Sequence, residues 1–337
     1  MAVWPVYAPN RRGDRASFAR MTEKIGLIVG MENTFPQAFI AKVNETPGYH
    51  ADLIKVGGIK ESFDRDYAVI VDRLSHEVPF YRFFLKVAAL AGTYVINDPF
   101  WWSSDDKFFG FSLANKIGVA VPRTVMLPQK SYIKGINLDK SLRNLVFPLD
   151  WAAITDYVGF PAILKPADGG GWRGVTRVND MRELMAAYDA SAQDPMTLQQ
   201  FIEFDEYVRC ICIGKEFILP IEYDPKRRCY IEHDRPFLPK SLETKILDGA
   251  YALNHALGYD MNSVEFACKD GVPYAIDFTN PAPDFDVHSI LPKHFHMVVD
   301  EMARHVISCA KDGRGHDGDY AYRRYLEQAP HERPKRG

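Results

Sequence analysis

The sequence predicts an α/β protein whose N-terminal part is built on a parallel sheet and whose C-terminal half is α+β. Three observations predict it. Between residues 24 and 97 short apolar runs alternate with segments of helical period, the pattern of strands joined by crossover helices. From residue 159 strands instead follow one another closely, two of them across a Lys-Asp-Gly turn, as in an antiparallel hairpin. A chain of 337 residues is long enough for two or three lobes, each with its own core.

Residues 1–22 are rich in Arg, Pro and Asn, show no period, and are expected to form an extended arm. "KIGLIVG" reads as a buried strand, "TFPQAFIAKVNE" as a helix capped by Thr34, and "ADLIKVG" and "YAVIVDR" as strands. "YRFFLKVAALAG" is a helix closed by Gly92, and "TYVIN" is the next strand. Such a parallel sheet is covered on both faces. Ser103 or Ser104 then caps a helix over Lys107 to Ile117, and "PRTVMLP" is a strand. Residues 128–150 carry no decisive pattern and mark a linker or lobe crossing. "FPAILKP", "GVTRV", "TLQQFI", "YVRCICIG" and "EFILPIEY" are strands, with a helix "MRELMAAYDAS" among them. A helix "LETKILDGAYALNHALG" precedes the hairpin "NSVEFACKDG"–"VPYAIDF", and residues 311–337 form a polar tail with one short amphipathic piece.

A net charge of -3 with 25% charged residues supplies no field that would gather nucleic acid or an acidic membrane. The N-terminus has no secretory pattern, and no apolar run reaches membrane-spanning length, so a cytoplasmic location is expected. Five cysteines without paired CxxC spacing argue against a disulfide framework or a structural zinc site. Cys210 and Cys212 alternate and share one face of their strand. "HFH" at 294–296 has no third ligand nearby and reads as surface or core histidine.

The chemistry concentrates in two stretches. In "PAILKPADGGGWRGV" Lys165 ends a strand, and the loop with Asp168, Gly169, Gly170, Gly171, Trp172 and Gly174 leads into another. Glycine admits backbone conformations that aim N–H groups at an anion. The loop lacks Gly-Lys-Ser/Thr and opens no helix, so it is neither a Walker A loop nor a dinucleotide-binding turn; alone it could be a plain turn. Glu265 and Asp277 lie on successive hairpin strands with Asn280 just beyond. Two carboxylates and an amide oxygen are hard donors of the kind Mg²⁺ takes beside phosphate oxygens.

Together with Asp106-Lys107, "GVAVPRT", "LQQFIEFDEYVR" and "GYDMNSVEF", these stretches resemble an ATP-grasp protein from about residue 95 to 309. "VINDPFWWSSDDKFF" and "NPAPD" look most like a branch of ATP-dependent carboxylate-amine ligases, related to ribosomal-protein glutamate ligase and glutathione synthetase. The resemblance implies an ATP-grasp fold: arm 1–22, a parallel-sheet lobe at 23–100, a small lobe with linker and Gly-rich lid at 101–205, a lobe carrying the metal site at 206–310, and the tail 311–337. The last two lobes would grip ATP.

By the same resemblance Lys107 and Lys165 would contact the α- and β-phosphates, with loop 168–174 as a lid. Gln199 or Gln200 would meet adenine, the backbone at Phe201 and Ile202 would supply hinge hydrogen bonds, and Glu206 would hold the ribose. Arg209 would face the γ-phosphate and the acyl group. Glu265, Asp277 and Asn280 match metal-ligand positions for two Mg²⁺ ions, or Mn²⁺. The family spaces acid and Asn by one residue, and here two intervene; Trp172 stands where the lid has a small or polar residue. Arg73, Asp284 and His288 are the candidates for substrate contact, along with Asp286 and the helix start in "GMENTFP". The implied reaction joins a small carboxylate to an amine through an acyl phosphate. A kinase acting on a hydroxyl and a non-catalytic nucleotide-binding regulator stay open as alternatives, as does a homodimer.

Overall fold

The structure, a computed structural model, describes residues 22–61, 64–100, 106–168, 173–316 and 323–326. Residues 1–21 of the expected arm, Ser103 and Ser104, residues 169–172 of the expected lid and most of the expected tail lie outside these.

The first sheet holds β1 (Glu23–Ile28), β2 (Tyr49–Leu53), β3 (Val69–Asp72) and β4 (Tyr94–Ile96) in the order β2-β1-β3-β4, with every neighbour parallel. Both faces are covered, as the alternation predicts. Ile25, Leu27, Val69 and Val71 pack with α1 (Phe35–Asn44) and α9 (Pro292–Asp312), while Ile28, Ile70 and Val95 pack with α2 (Pro79–Leu90). The strand order reverses direction between β1 and β3, so the crevice beyond their C-terminal ends is where an α/β sheet can receive a ligand.

Thr34 does not cap α1 with its side chain. Its hydroxyl instead bonds Asp286 and accepts from the backbone N–H of Val287, which ties α1 to α8 (Val287–Ile290). The cap expected from Ser103 or Ser104 falls to Asp106, whose carboxylate accepts from Phe109 N at 3.0 Å and opens α3 (Lys107–Lys116).

The second sheet, order β5-β8-β6-β7, comprises β5 (Thr124–Leu127), β6 (Ala162–Pro166), β7 (Thr176–Val178) and β8 (Met196–Gln200), all antiparallel. The unassigned stretch 128–150 contains only the short α4 (Leu138–Ser141). Helices α5 (Trp151–Val158) and α6 (Met181–Ala190) close this sheet's core around Val158, Leu164, Leu184 and Tyr188. The third sheet, order β11-β10-β9-β12-β13, is also antiparallel: β9 (Glu206–Ile213), β10 (Phe217–Asp224), β11 (Cys229–Ile231), β12 (Met261–Lys269) and β13 (Val272–Asn280). One face packs on α7 (Lys240–Leu257) and α3 through Cys210, Cys212, Val264, Phe266 and Cys268; the other packs on α9 through Ile211, Ile213 and Met261. Cys210 and Cys212 thus share a buried face, as expected, and all five cysteines are free thiols. Residues 323–326 form α10.

Helix α9, 21 residues long, has no counterpart among the elements expected from the sequence. Its apolar residues Phe295, Val298, Val299, Met302, Ala303, Val306 and Cys309 recur at helical spacing and are buried. His294 is buried with Nδ1 near the Ile290 carbonyl, and His296 is exposed. Among the described residues no helix is long and apolar enough to cross a membrane.

Candidate active site

Two lysines from different parts of the fold meet the acidic strand. Lys165 stands on β6 and is 9% exposed; its Nζ donates to the Ile276 carbonyl on β13 at 3.2 Å and to Gln199 Oε1 at 3.1 Å. Lys107, the first residue of α3, lies 3.1 Å from Asp277 Oδ2. Each cation therefore sits within one residue of the same point on β13. Burial first, and Lys107 alongside, push Lys165 down to about 8 against the pull of Asp277. Lys107 moves the other way because Asp277 holds its proton. Asp168 is close enough to add to that pull.

Glu265 and Asp277 are direct cross-strand partners in the β12–β13 ladder, so their side chains leave the same face with Cβ atoms about 5 Å apart. Arg209, on β9, pairs with Glu265 at 2.8 Å, and the Tyr207 hydroxyl donates to the same carboxylate. Arg209 also lies over the Tyr223 ring, 3.6 Å from its centroid, and its Nε has no hydrogen-bond partner among the described residues. Burial raises the Glu265 carboxyl in spite of Arg209. For Asp277 burial is outweighed by Lys107 and Lys165, and the group stays below the ordinary carboxylate range. Neighbouring acids pushed in opposite directions are a frequent mark of functional sites.

Asn280 is three residues from Asp277, and in a regular strand the two would point to opposite faces. The ladder changes register between them. Ser263 pairs with Asn280 and Glu265 with Asp277, so three steps of β13 face two of β12, and a bulge inserts one extra residue. Asn280 Nδ2 donates to Ser263 Oγ at 3.0 Å, and Ser263 shares its face with Glu265. The bulge therefore turns the unusual spacing of Asp277 and Asn280 into a common face.

Other expected site residues are placed less simply. Gln199 faces Lys165, while Gln200, its neighbour on β8, faces the opposite way and accepts from Arg123 N through its side chain. Phe201 gives its N–H to the Pro161 carbonyl and lies under the Arg177 guanidinium; Ile202 is buried. Glu206 begins β9 opposite Cys268, on the other face of the strand from Arg209. Gly174 has φ +68°, and a Cβ there would come within 2.9 Å of Pro166, so the end of the lid loop requires glycine. Gly169, Gly170, Gly171 and Trp172 lie outside the described residues.

The substrate candidates are drawn into other roles. Arg73 forms an ion pair with Glu32, donates to the Pro283 carbonyl, and is 3.2 Å from Met261 Sδ, with its side chain 1% exposed. It also lies over the Phe35 and Phe285 rings. This makes it a strut between the parallel sheet and the loop after β13, and its guanidinium is not open to a substrate carboxylate. The start of α1 receives no outside anion either: Asp286 takes the N–H groups of Asn33 and Thr34, and these bonds, with the Thr34 hydroxyl, hold it below its ordinary range although burial opposes them. Asp284 accepts from Ser289 Oγ and Asp286 N and so organises α8; His288 is exposed on that helix. A narrow cleft lies beside the site, lined by Asp72, Ser75, His76, Asn97, Asp98 and Pro281. Pro281 directly follows Asn280, so this cleft joins the ends of β3 and β4 to the acidic strand.

Solved structures match this chain over most of its length. A D-alanine–D-alanine ligase from Bacillus anthracis complexed with ATP aligns over 86% of this chain and 98% of its own, at 19% identity and a TM-score of 0.57. The VanG D-Ala:D-Ser ligase from Enterococcus faecalis aligns over 86% and 100%, at 16% identity and a TM-score of 0.60. A RimK domain protein ATP-grasp from Sphaerobacter thermophilus gives 84% and 99%, at 16% identity and 0.57. The chain has the ATP-grasp fold.

In sequence, part of the chain resembles a D-alanine–D-alanine ligase from Ralstonia nicotianae, 29% identical over 164 residues, which are 42% of this chain and 49% of the relative. One from Dechloromonas aromatica is 27% identical over 202 residues, or 56% and 60%. The chain spans about half the length of the curated relatives it matches. No family model matches it.

Two contributors escaped the motif reading. Tyr207 stands two residues before Arg209 on one strand, so strand alternation alone would have placed it on the Glu265 face. Asn262 gave no comparable signal, because its backbone partners, the Phe278 carbonyl and the Asn280 N–H, are brought to it by the bulge.

Proposed function

We propose that the protein is an ATP-dependent ligase that activates a small carboxylate, an amino acid or a peptide, as an acyl phosphate and joins it to an amine, releasing ADP and phosphate. The observation that carries this is the meeting of Lys107, Lys165, Glu265 and Asp277 around one segment of β13. Their chemistry suits a triphosphate and its counter-ion.

The substrate carboxylate must approach a polyanion. Lys107, Lys165 and Arg209 offset the repulsion, and they do so in a half-buried site where each charge acts at low dielectric. A carboxylate oxygen attacks the γ-phosphorus, the bond to the β,γ-bridging oxygen breaks, and ADP leaves. An amine then adds to the acyl carbon, phosphate departs, and the amine proton passes to solvent. Arg209 is the group suited to the oxyanion formed on addition. Glu265, Asp277 and the Asn280 amide oxygen fit Mg²⁺, since a magnesium site needs only one or two carboxylates beside phosphate oxygens and water. When bound, the ion neutralises phosphate charge. The cleft lined by Asp72, Asp98 and Pro281 is the approach we assign to the carboxylate and amine.

The test is nucleotide turnover with Mg²⁺ and hydroxylamine across a panel of amino acids and short peptides. The ligase reading expects ADP release that depends on a carboxylate and yields a hydroxamate. Turnover that gives a phosphate ester and no hydroxamate would replace it with a kinase.

A further inference from the structure

We propose that Asn262 is a positioning residue that holds the β13 bulge and thereby aims Asp277 and Asn280 at a single cation. The inference rests on the reading of these residues as a nucleotide and metal site.

A bulge removes one residue from the ladder and leaves its backbone groups without cross-strand partners. In a buried sheet those groups must find others, because a buried N–H or carbonyl left unpaired loses its hydration with nothing in return. Here one side chain serves both. Asn262 Oδ1 accepts from the backbone N–H of Asn280 at 2.9 Å, and Asn262 Nδ2 donates to the carbonyl of Phe278 at 2.9 Å. The amide spans the inserted residue and replaces the missing rungs. Its orientation is fixed by its partners, since one is a backbone donor and the other a backbone acceptor.

The second hydrogen of Nδ2 goes to Asn254 Oδ1 on α7 at 3.0 Å, and Asn254 Nδ2 returns to the Ala250 carbonyl at 2.7 Å. Both asparagines are 0% exposed. A polar chain buried to this degree is a liability unless every member is satisfied, and a satisfied chain specifies one geometry. It anchors the bulge to the longest helix on that face of the sheet. Ser263, the next residue, receives Asn280 Nδ2, which leaves the amide oxygen as the end of Asn280 facing away from β12. Apolar residues of similar size could fill the space of Asn262 and Asn254, but none could bond both Phe278 and Asn280. Without that clamp the strand can slip to a regular ladder, and Asn280 would then turn to the opposite face from Asp277.

The test compares the affinity of a non-hydrolysable ATP analogue in Mg²⁺ and in EDTA, by calorimetry, for the full chain and for Asn262→Ala. Partners behind metal ligands typically change metal affinity about 10- to 100-fold, so the enhancement given by Mg²⁺ should fall about tenfold while the EDTA affinity stays within about twofold. A purely structural asparagine would lower the melting temperature and leave the ratio unchanged, and that result overturns the proposal. Asn254→Leu is tolerated by the helix and similar in size, and it removes the backing bond to Asn262 together with the bond to the Ala250 carbonyl; it should lower the ratio about threefold, and it decides the matter if Asn262→Ala does not fold. A native chain whose affinity is the same in Mg²⁺ and EDTA would overturn the metal reading itself, and this proposal with it.

Discussion

Two buried arginine–glutamate pairs lie on either side of the loop after β13, and they differ in what each leaves over. Arg73 and Glu32 sit at the crevice between β1 and β3, where a carbonyl, a thioether and two aromatic rings close on the Arg73 guanidinium. Arg209 and Glu265 are of the same chemical kind, and the two glutamates are about equally exposed, but Arg209 is 17% exposed against 1% for Arg73, and Glu265 faces Asp277 across the ladder. The first arginine is enclosed by its own molecule. The second has one edge open toward the lysines. What separates a strut from a site is thus unspent bonding capacity, since ion pairing is common to both.

Arg209→Met should therefore break turnover, by about 10²–10³-fold, the usual cost of losing a group that stabilises an oxyanion. It should also push the Glu265 carboxyl further up, because the largest force opposing burial would be gone while Tyr207 and Lys107 remain. Arg73→Met should instead lower stability by about 3–5 kcal/mol, the cost of leaving one member of a buried pair alone, with nucleotide affinity of the folded fraction kept within about twofold. Measuring kcat and melting temperature for both variants checks the contrast; equal effects on both readouts would erase the distinction between the pairs.

Much of this was legible in the sequence. The parallel sheet followed from the 24–97 alternation, and the Glu265–Asp277 pairing from the Lys-Asp-Gly turn, because local periodicity and turn chemistry suffice for both. The occupation of Arg73 and of the α1 N-terminus was not legible, since their partners Pro283 and Asp286 lie more than 200 residues away. Helix α9 was readable by its period, yet its polar ends and the histidines at 294 and 296 draw attention from it. The bulge was visible only as a departure, the extra residue between Asp277 and Asn280, and its meaning depends on a neighbour on β12.

A smaller effect sharpens the comparison between Lys165 and Lys107. Lys165→Ala should weaken nucleotide binding about tenfold, the worth of a charge-assisted hydrogen bond. Its proton adds a pH signature. In the free protein Lys165 loses its proton near pH 8, and a bound phosphate would hold it. Affinity should thus fall above about pH 8, by at most tenfold per pH unit, and the fall should vanish in Lys165→Ala. Stability of the unliganded protein has the opposite slope from this group. Between about 8 and the ordinary 10.5 the unfolded chain binds more protons, so stability rises with pH through that window. Calorimetric titrations from pH 7 to 9.5 check the sign, and an affinity independent of pH would remove Lys165 from the phosphate site.

On the proposed reading, residues of two sheets and one helix start share a single nucleotide. A crystal structure with Mg²⁺ and a non-hydrolysable ATP analogue should show one triphosphate touching both Lys107 and Lys165, with the metal bound by Glu265 and Asp277. A nucleotide seated elsewhere, or one that meets Lys165 while Asp277 stays out of reach of its metal, would contradict it.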